Sequence, residues 1–336
     1  MKIAVFDIGT NSIHMKIVQI NNDFSFEALE HEKDMTRIGA GSFESRKLSK
    51  NAIRRALKVI ERFHKEAKRI GANKTVAVAT SAVRDARNGD ALVEAVYKKT
   101  GMKIRIITGE EEARLIFLGV SSDIEFKKDK VLVADVGGGS LELVSGGRKK
   151  IDYIRSFELG AARLSERFIT RYPVPSKEIR RLEAFIVETL NGTAKRLRKK
   201  GYSRILGTGG TFINLASIVY EAKESRPLRL RGTFELKRKD LKPIHQKLVR
   251  MNGKRLERVP GLDRKRSDII VAGCVLVMTL MRLLKADKVF VSDKGIREGL
   301  ILDYILKNKI RCKTGRPSLD VRWFGQKPFF SGRINV

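Results

Sequence analysis

Apolar positions along this chain switch between two periods. Met1 to Phe6 and Ile13 to Ile20 have the length and spacing of strands, and the polar stretch between them predicts a hairpin. Asn21-Asn22-Asp23 predicts the next turn. After Ser49 the period lengthens: Ile53, Ala56, Leu57, Ile60, Phe63, Ala67 and Ile70 recur at helical spacing, with Ser49 as the cap and Gly71-Ala72-Asn73 as the stop. Thr75 to Ala79 then reads as a short buried strand, Gly89 to Lys99 as a helix and Lys103 to Ile107 as a strand. Thr108-Gly109-Glu110-Glu111-Glu112 reads as a turn opening a helix, whose first-turn acids complement the helix dipole.

The charged stretch 121–130 predicts an interdomain linker, and beyond it the alternation restarts. Strand-like runs begin at Val131 and Leu141, helices cover Ala161 to Phe168 and Ser176 to Lys200, and Arg204 to Leu206 is a strand entering a Gly-rich turn and a helix. A helix from about Lys239 to Met251, an apolar helix from Ser267 to Leu284, a strand from Lys288 to Ser292 and a helix from Ile296 to Lys307 complete the pattern. The fold class is α/β, and 336 residues suit two domains. We place them at 1–124 and 125–307, with a basic, aromatic tail over 308–336 that lacks periodicity and reads as a docked or partly disordered segment.

Content repeats as well as order. Ala4-Val5-Phe6-Asp7-Ile8-Gly9-Thr10-Asn11-Ser12 and Val131-Leu132-Val133-Ala134-Asp135-Val136-Gly137-Gly138-Gly139-Ser140 each run a buried strand into an acid and a tight Gly turn. Such a turn aims backbone N–H groups past the strand end, which suits an anion, while the Asp suits a hydrated Mg²⁺. Gly207-Thr208-Gly209-Gly210-Thr211 is a third turn in the same context. Three such turns are expected around one phosphate group, with Thr10, Asn11, Ser12, Ser140, Thr208 and Thr211 adding side-chain donors. Hydrolysis of a phosphate also needs a group that orients or deprotonates water. The candidates are Glu142, on the same strand face as Ser140, and the Glu110–Glu112 cluster; chemistry alone does not choose among them. Arg84 and Arg266 have the side chain for a phosphate anchor.

Other classes are disfavoured. The histidines His14, His31, His64 and His245 lack metal-ligand spacing, and no Gly-x-Ser-x-Gly elbow, Cys–His pairing or Walker loop is present. The longest apolar run, near 269–284, is interrupted by Gly273 and Arg282, so no membrane partner is expected. Two cysteines form no disulfide framework, and the chain opens directly on a strand; a cytoplasmic location is expected. The net charge of +32 is uneven: residues 1–125 hold 22 Lys and Arg against 17 Asp and Glu, and the remainder hold 48 against 21. Nets of +5 and +27 assign polyanion attraction to the second half.

Together these segments resemble the exopolyphosphatase / guanosine pentaphosphate phosphatase (Ppx/GppA) family, within the actin–hexokinase superfamily. The resemblance rests on seven ordered motifs: the turn at 7–12, Ala79-Thr80-Ser81-Ala82-Val83-Arg84-Asp85-Ala86, Ile107 to Arg114, the turn at 135–142, Leu159 to Leu164, the turn at 207–211, and Ser292 to Gly299. It implies two ribonuclease-H-like, actin-like domains with the active site in the cleft between them, and a final helix that packs back on the first domain. It also makes Glu112 the general base, Asp135, Gly137 and Glu142 the metal and phosphate positions with Asp7 opposite, and Arg84 and Arg266 the arginine positions. The phosphate set it implies is Gly9, Thr10, Asn11, Ser12, Arg84, Gly137, Gly138, Gly139, Ser140, Gly207, Thr208, Gly209, Gly210, Thr211 and Arg266. The implied reaction is in-line attack of water on a terminal phosphoryl group of inorganic polyphosphate, with Mg²⁺, or Mn²⁺ in its place, as cofactor. A nucleotide polyphosphate such as guanosine pentaphosphate is the alternative substrate, a homodimer the expected assembly, and nonspecific nucleic-acid binding the reading from another class. A transferase resembling sugar kinases is a third reading, with no acceptor site visible. Two departures stand out: Leu141 stands where the family commonly has Thr, and the chain ends soon after Arg297-Glu298-Gly299, so the basic tail is expected to substitute in part for the helical domains of longer members.

Overall fold

A computed structural model describes residues 1–308, apart from 24, 123–129, 148–149 and 231. Most of the stretch read as a linker, and all but the first residue of the tail, lie outside the described residues. Eleven strands form two sheets among the described residues: β1 Lys2–Ile8, β2 Ile13–Ile20, β3 Phe26–Asp34, β4 Lys74–Ala79 and β5 Ile104–Ile106 in the first, and β6 Val131–Val136, β7 Leu141–Gly146, β8 Ile151–Phe157, β9 Arg204–Thr208, β10 Thr233–Lys237 and β11 Lys288–Ser292 in the second. The first sheet has the order β3-β2-β1-β4-β5. The second, counted from its β8 edge, runs β8-β7-β6-β9-β11 and then adds β10. Each is thus an antiparallel three-strand meander joined to parallel strands, and the repeated motif is a repeated fold.

Local sequence explains these elements. β1 and β6 pair with a strand on either side, and all their residues except Lys2, Asp7 and Asp135 are buried, giving the unbroken apolar runs of central strands. The helix Lys50–Arg69 starts at Ser49, whose hydroxyl accepts from the Ala52 amide at 3.1 Å, and buries Ala52, Ala56, Ile60, Phe63 and Ala67. β3, FEALEHEKD, has no buried residue and is an edge strand; its charges discourage further strand pairing.

Two helices exchange sheets. Gly109–Ser121 sends Ala113, Ile116, Phe117 and Val120 into a core with Val131, Val133, Val144 and Leu206 of the second sheet. Ile296–Lys307 sends Leu300, Ile301 and Ile305 against Ile3, Val5, Val18 and Val78 of the first. Where they cross, a Cβ on Gly119 would lie 1.9 Å from the Gly295 carbonyl oxygen, and one on Gly299 would lie 1.9 Å from that of Leu115. Any side chain at these glycines would push the helices, and the sheets they carry, apart.

The cleft between the halves is closed. Lys33 Nζ meets Asp263 Oδ2 at 3.2 Å, Arg37 pairs with Asp268, and the Gly41 amide donates to Glu166 Oε1 at 2.8 Å. Arg163 pairs with Asp85 and lies 4.3 Å over the Phe43 ring. Among the described residues, no helix is long and apolar enough to cross a membrane.

Candidate active site

β1 and β6 end at the cleft floor, where their sheets change direction and ligand crevices form in α/β folds. The turns after them close identically: Gly9 N bonds Ser12 O at 3.0 Å, and Gly137 N bonds Ser140 O at 3.0 Å. The two turns touch. A Cβ on Gly138 would lie 2.9 Å from Asn11 Nδ2, and one on Gly139 would lie 1.8 Å from Ser81 Oγ and 2.8 Å from Thr10 Oγ1. Only glycine permits this approach.

The carbonyls of the second turn are all occupied. Gly137 O accepts from the Ala161 amide at 3.0 Å, Gly138 O from the Ala162 and Arg163 amides at 2.8 and 3.1 Å, and Gly139 O from Arg163 Nε at 2.8 Å. Within a planar trans peptide the N–H opposes the C=O. The amides of Gly138, Gly139 and Ser140 are therefore directed away from the helix Ala161–Phe168, as a nest of donors suited to an anion. Among the described residues, two buried side-chain donors at this site, Asn11 Nδ2 and Arg266 Nε, have no hydrogen-bond partner. Such donors are costly unless an acceptor occupies the site, which is further support for an anion here.

Four carboxylates line the same space. Glu112, in the first turn of Gly109–Ser121, accepts from Arg84 Nη1 at 2.9 Å, and Arg84 also donates to Ile107 O at 3.1 Å. Burial raises the Glu112 pKa, and Arg84 counters part of that rise. The other two glutamates of the cluster are placed differently: Glu110 is exposed, and Glu111 pairs with Arg105 at 2.9 Å. Asp7 is pushed up to about 7 by burial, opposed by Arg297 and reinforced by Glu112 and Glu298. Asp135 is likewise pushed up to about 7, by burial and then by Glu112 and Asp7. Glu142 lies well above the usual carboxylate range through burial and the charges of Glu112 and Asp135, although Ser156 Oγ donates to it at 2.8 Å.

Two buried and two half-buried acids this close together favour their protonated forms unless a cation joins them. Among the described residues no three acids, cysteines or histidines form a closed metal cage. Mg²⁺ does not require one, since it binds through one or two carboxylates, waters and substrate phosphates. The donor set fits that ion.

The third turn differs from the sequence expectation. Gly207 lies within β9, where a Cβ would strike the Phe212 ring at 2.6 Å, so its smallness serves packing. Thr208 Oγ1 donates to the Lys294 carbonyl at 2.6 Å, which commits its proton elsewhere, and Thr211 packs against Gly273. Gly209, at φ +85°, has room for no side chain because a Cβ would lie 2.1 Å from Asp135 Oδ1. Gly210 carries the Arg266 guanidinium, 2.1 Å from where its Cβ would be. Gly209, Gly210 and Arg266 therefore join the site by close approach, while Gly207, Thr208 and Thr211 support it. Leu141 is fully buried in the core of the second half, so the missing hydroxyl faces away from the cleft.

Several participants carried no assigned role in the sequence. Arg297 sits at the start of the helix Ile296–Lys307 and acts on both Asp7 and Asp135. His14 and His31 stack 5.7 Å apart at 14°. A comparison of the two repeats points to His14: it follows Asp7 by seven positions, as Glu142 follows Asp135. Strand register confirms the equivalence, with Asp7 opposite His14 and Asp135 opposite Glu142.

Residues 16–308 match the Ppx/GppA phosphatase family. The chain belongs to that family. Its Ppx/GppA relatives include Exopolyphosphatase 1 of Mycobacterium tuberculosis, 29% identical over 303 residues, or 90% of this chain and 88% of that protein. Among solved structures, an exopolyphosphatase from Cytophaga hutchinsonii superposes with a TM-score of 0.85 at 26% identity, covering 93% of this chain and 99% of the other. The Ppx/GppA family member of Aquifex aeolicus gives 0.76 at 28% identity, covering 92% and 98%. The chain is an enzyme of a phosphatase family, with the actin-like two-domain fold.

Proposed function

We propose that this Ppx/GppA protein is an exopolyphosphatase that releases the terminal phosphate of inorganic polyphosphate by direct attack of water, with Glu112 as general base. The observation that carries this reading is Glu112 itself, a buried carboxylate bonded to Arg84 and close enough to act on Asp7 and Asp135, the acids that precede the two phosphate-suited turns. Its raised pKa makes it a better proton acceptor than a surface carboxylate once ionised. The bond from Arg84 to Oε2 fixes its plane, and a carboxylate retains acceptor sites for an attacking water. The amides of Gly138, Gly139 and Ser140, with Asn11 and Arg266, take the oxygens of the terminal phosphoryl group, where donors placed in advance stabilise developing charge.

Asp135 and Glu142, with Asp7 opposite, would hold Mg²⁺, or Mn²⁺ in its place, which supplies charge neutralisation to the phosphoryl oxygens. The rest of the polymer carries charge at every unit and no sequence, so a broad positive field suffices to retain it. The +27 of the second half supplies one. Phosphate release should be measured from polyphosphates of defined length beside guanosine pentaphosphate and nucleoside triphosphates, with and without Mg²⁺. Higher turnover on polyphosphate is expected; faster turnover of the nucleotides would transfer the assignment to them.

A further inference from the structure

Arg297 Nη1 lies 2.8 Å from His14 Nδ1 and 2.6 Å from His31 Nε2. A guanidinium nitrogen has only protons to give, so both imidazole nitrogens must be acceptors. The two protons of Nη1 suit two imidazoles. His14 Nδ1 and His31 Nε2 stand 3.4 Å apart, with lone pairs converging on one donor rather than bonding each other. A neutral His14 that accepts at Nδ1 carries its proton on Nε2. That nitrogen lies 2.9 Å from Ser12 Oγ. His14 therefore donates to Ser12, and the single hydroxyl proton of Ser12 must turn to another acceptor. Ser12 is buried beside the closed cleft, in a turn where the expected acceptor is a phosphate oxygen.

We propose that His14, locked in its Nε2–H tautomer by Arg297, is a positioning residue that orients the Ser12 hydroxyl as a hydrogen-bond donor to the bound phosphate. The equivalent residues of the other half have the opposite sense. There the residue opposite the Asp is Glu142, and an ionised carboxylate can only accept where the His14 Nε2–H donates. Burial, then Arg297, His31, Lys33 and Arg266, hold the His14 pKa well down and keep the ring neutral. His31 completes the arrangement as the second acceptor that centres Arg297.

The inference rests on the phosphatase reading for its ligand but not for its tautomer, and the test separates them. ¹⁵N NMR of the histidine-labelled full chain reads the tautomer without any substrate. A protonated Nε2 with an unprotonated Nδ1 on His14 is expected; an Nδ1–H tautomer or an imidazolium overturns the proposal. Binding of inorganic tripolyphosphate and its hydrolysis are then compared in variants. Each change removes a hydrogen bond to a charged group, so Ser12→Ala and His14→Leu should each weaken tripolyphosphate binding and kcat/KM by roughly tenfold or more. The double variant should lose no more than the worse single one, because both remove the same donor. His14→Gln, whose amide accepts at Oε1 and donates at Nε2, should recover most of the loss, which a purely structural role would not predict. Fully additive losses, or a Gln variant as poor as Leu, overturn the relay. If the wild type fails to hydrolyse any polyphosphate while the tautomer is as expected, the polyphosphate reading fails and the tautomer assignment stands.

Discussion

The two halves share a scaffold and differ at its most sensitive point. In each, an Asp ends the central strand, a four-residue turn closes with a 3.0 Å bond, and a Ser follows five positions after the Asp. Opposite the Asp, the first half has His14 and the second has Glu142. The exchange changes what the strand offers at that position, because an imidazole Nε2–H gives a proton, here to Ser12, where a carboxylate takes one. It also sets net charge, since the carboxylate of the second half adds to three others while the imidazole brings Arg297 into the site. One backbone motif thus carries opposite side-chain chemistry in its two halves, a neutral imidazole beside Arg297 in the first and a carboxylate in the second.

Making the halves alike should be the most damaging change. Glu142→His, which copies the first half into the second, should lower Mg²⁺-supported phosphate release by about a hundredfold or more, as metal participation is worth several kcal/mol. Mg²⁺ titration calorimetry on the same variant should show weakened binding, and undiminished binding would place the ion elsewhere. Loosening the contact between halves should matter less. Arg163 holds Gly139 O, Asp85 and the Phe43 ring at once, but partly exposed contacts of this kind contribute only about 1 kcal/mol. Arg163→Ala should raise KM for tripolyphosphate roughly fivefold with a smaller change in kcat.

The smallest expected effect is on stability. Asp7 and Asp135 have folded pKa values of about 7 against an ordinary 3.8. A raised folded value favours the protonated native form. Its contribution is full below about 3.8 and is lost as pH rises through about 7. Without divalent metal, the melting temperature should therefore fall between about pH 4 and pH 7 and level off above that. Asp135→Asn should flatten that slope and melt a few degrees higher at pH 8, since each kcal/mol moves Tm by roughly 2–4 °C. A slope unchanged by this substitution would contradict the burial assigned to Asp135.

Much of this comparison was legible in the sequence. The repeat of strand, Asp and Gly turn gave the duplicated α/β fold, and period changes located the long helices because each buries one stripe. β3, β8 and β10 were not read. β3 is an exposed, charged edge, β8 alternates weakly, and β10 is a five-residue edge strand; none presents a clear apolar face. Three glutamates were indistinguishable by residue chemistry, and only the helix phase separates exposed Glu110 and Arg105-bound Glu111 from buried, Arg84-bound Glu112. The His14–His31–Arg297 cluster was hidden because its members are 17 and 266 residues apart and meet through β-pairing and the returning helix. Ligand spacing was the wrong test for His14; its offset from Asp7 was the informative signal.

Glu112 lies in the first turn of the helix that packs the first half's chain onto the second sheet. The most direct test is Glu112→Gln, with phosphate release from tripolyphosphate and long polyphosphate measured beside the equilibrium binding of each. Removing a general base should lower turnover by about 10²–10⁴-fold, with binding changed by no more than about threefold. Turnover close to wild type in this variant would contradict Glu112 as the base that activates water.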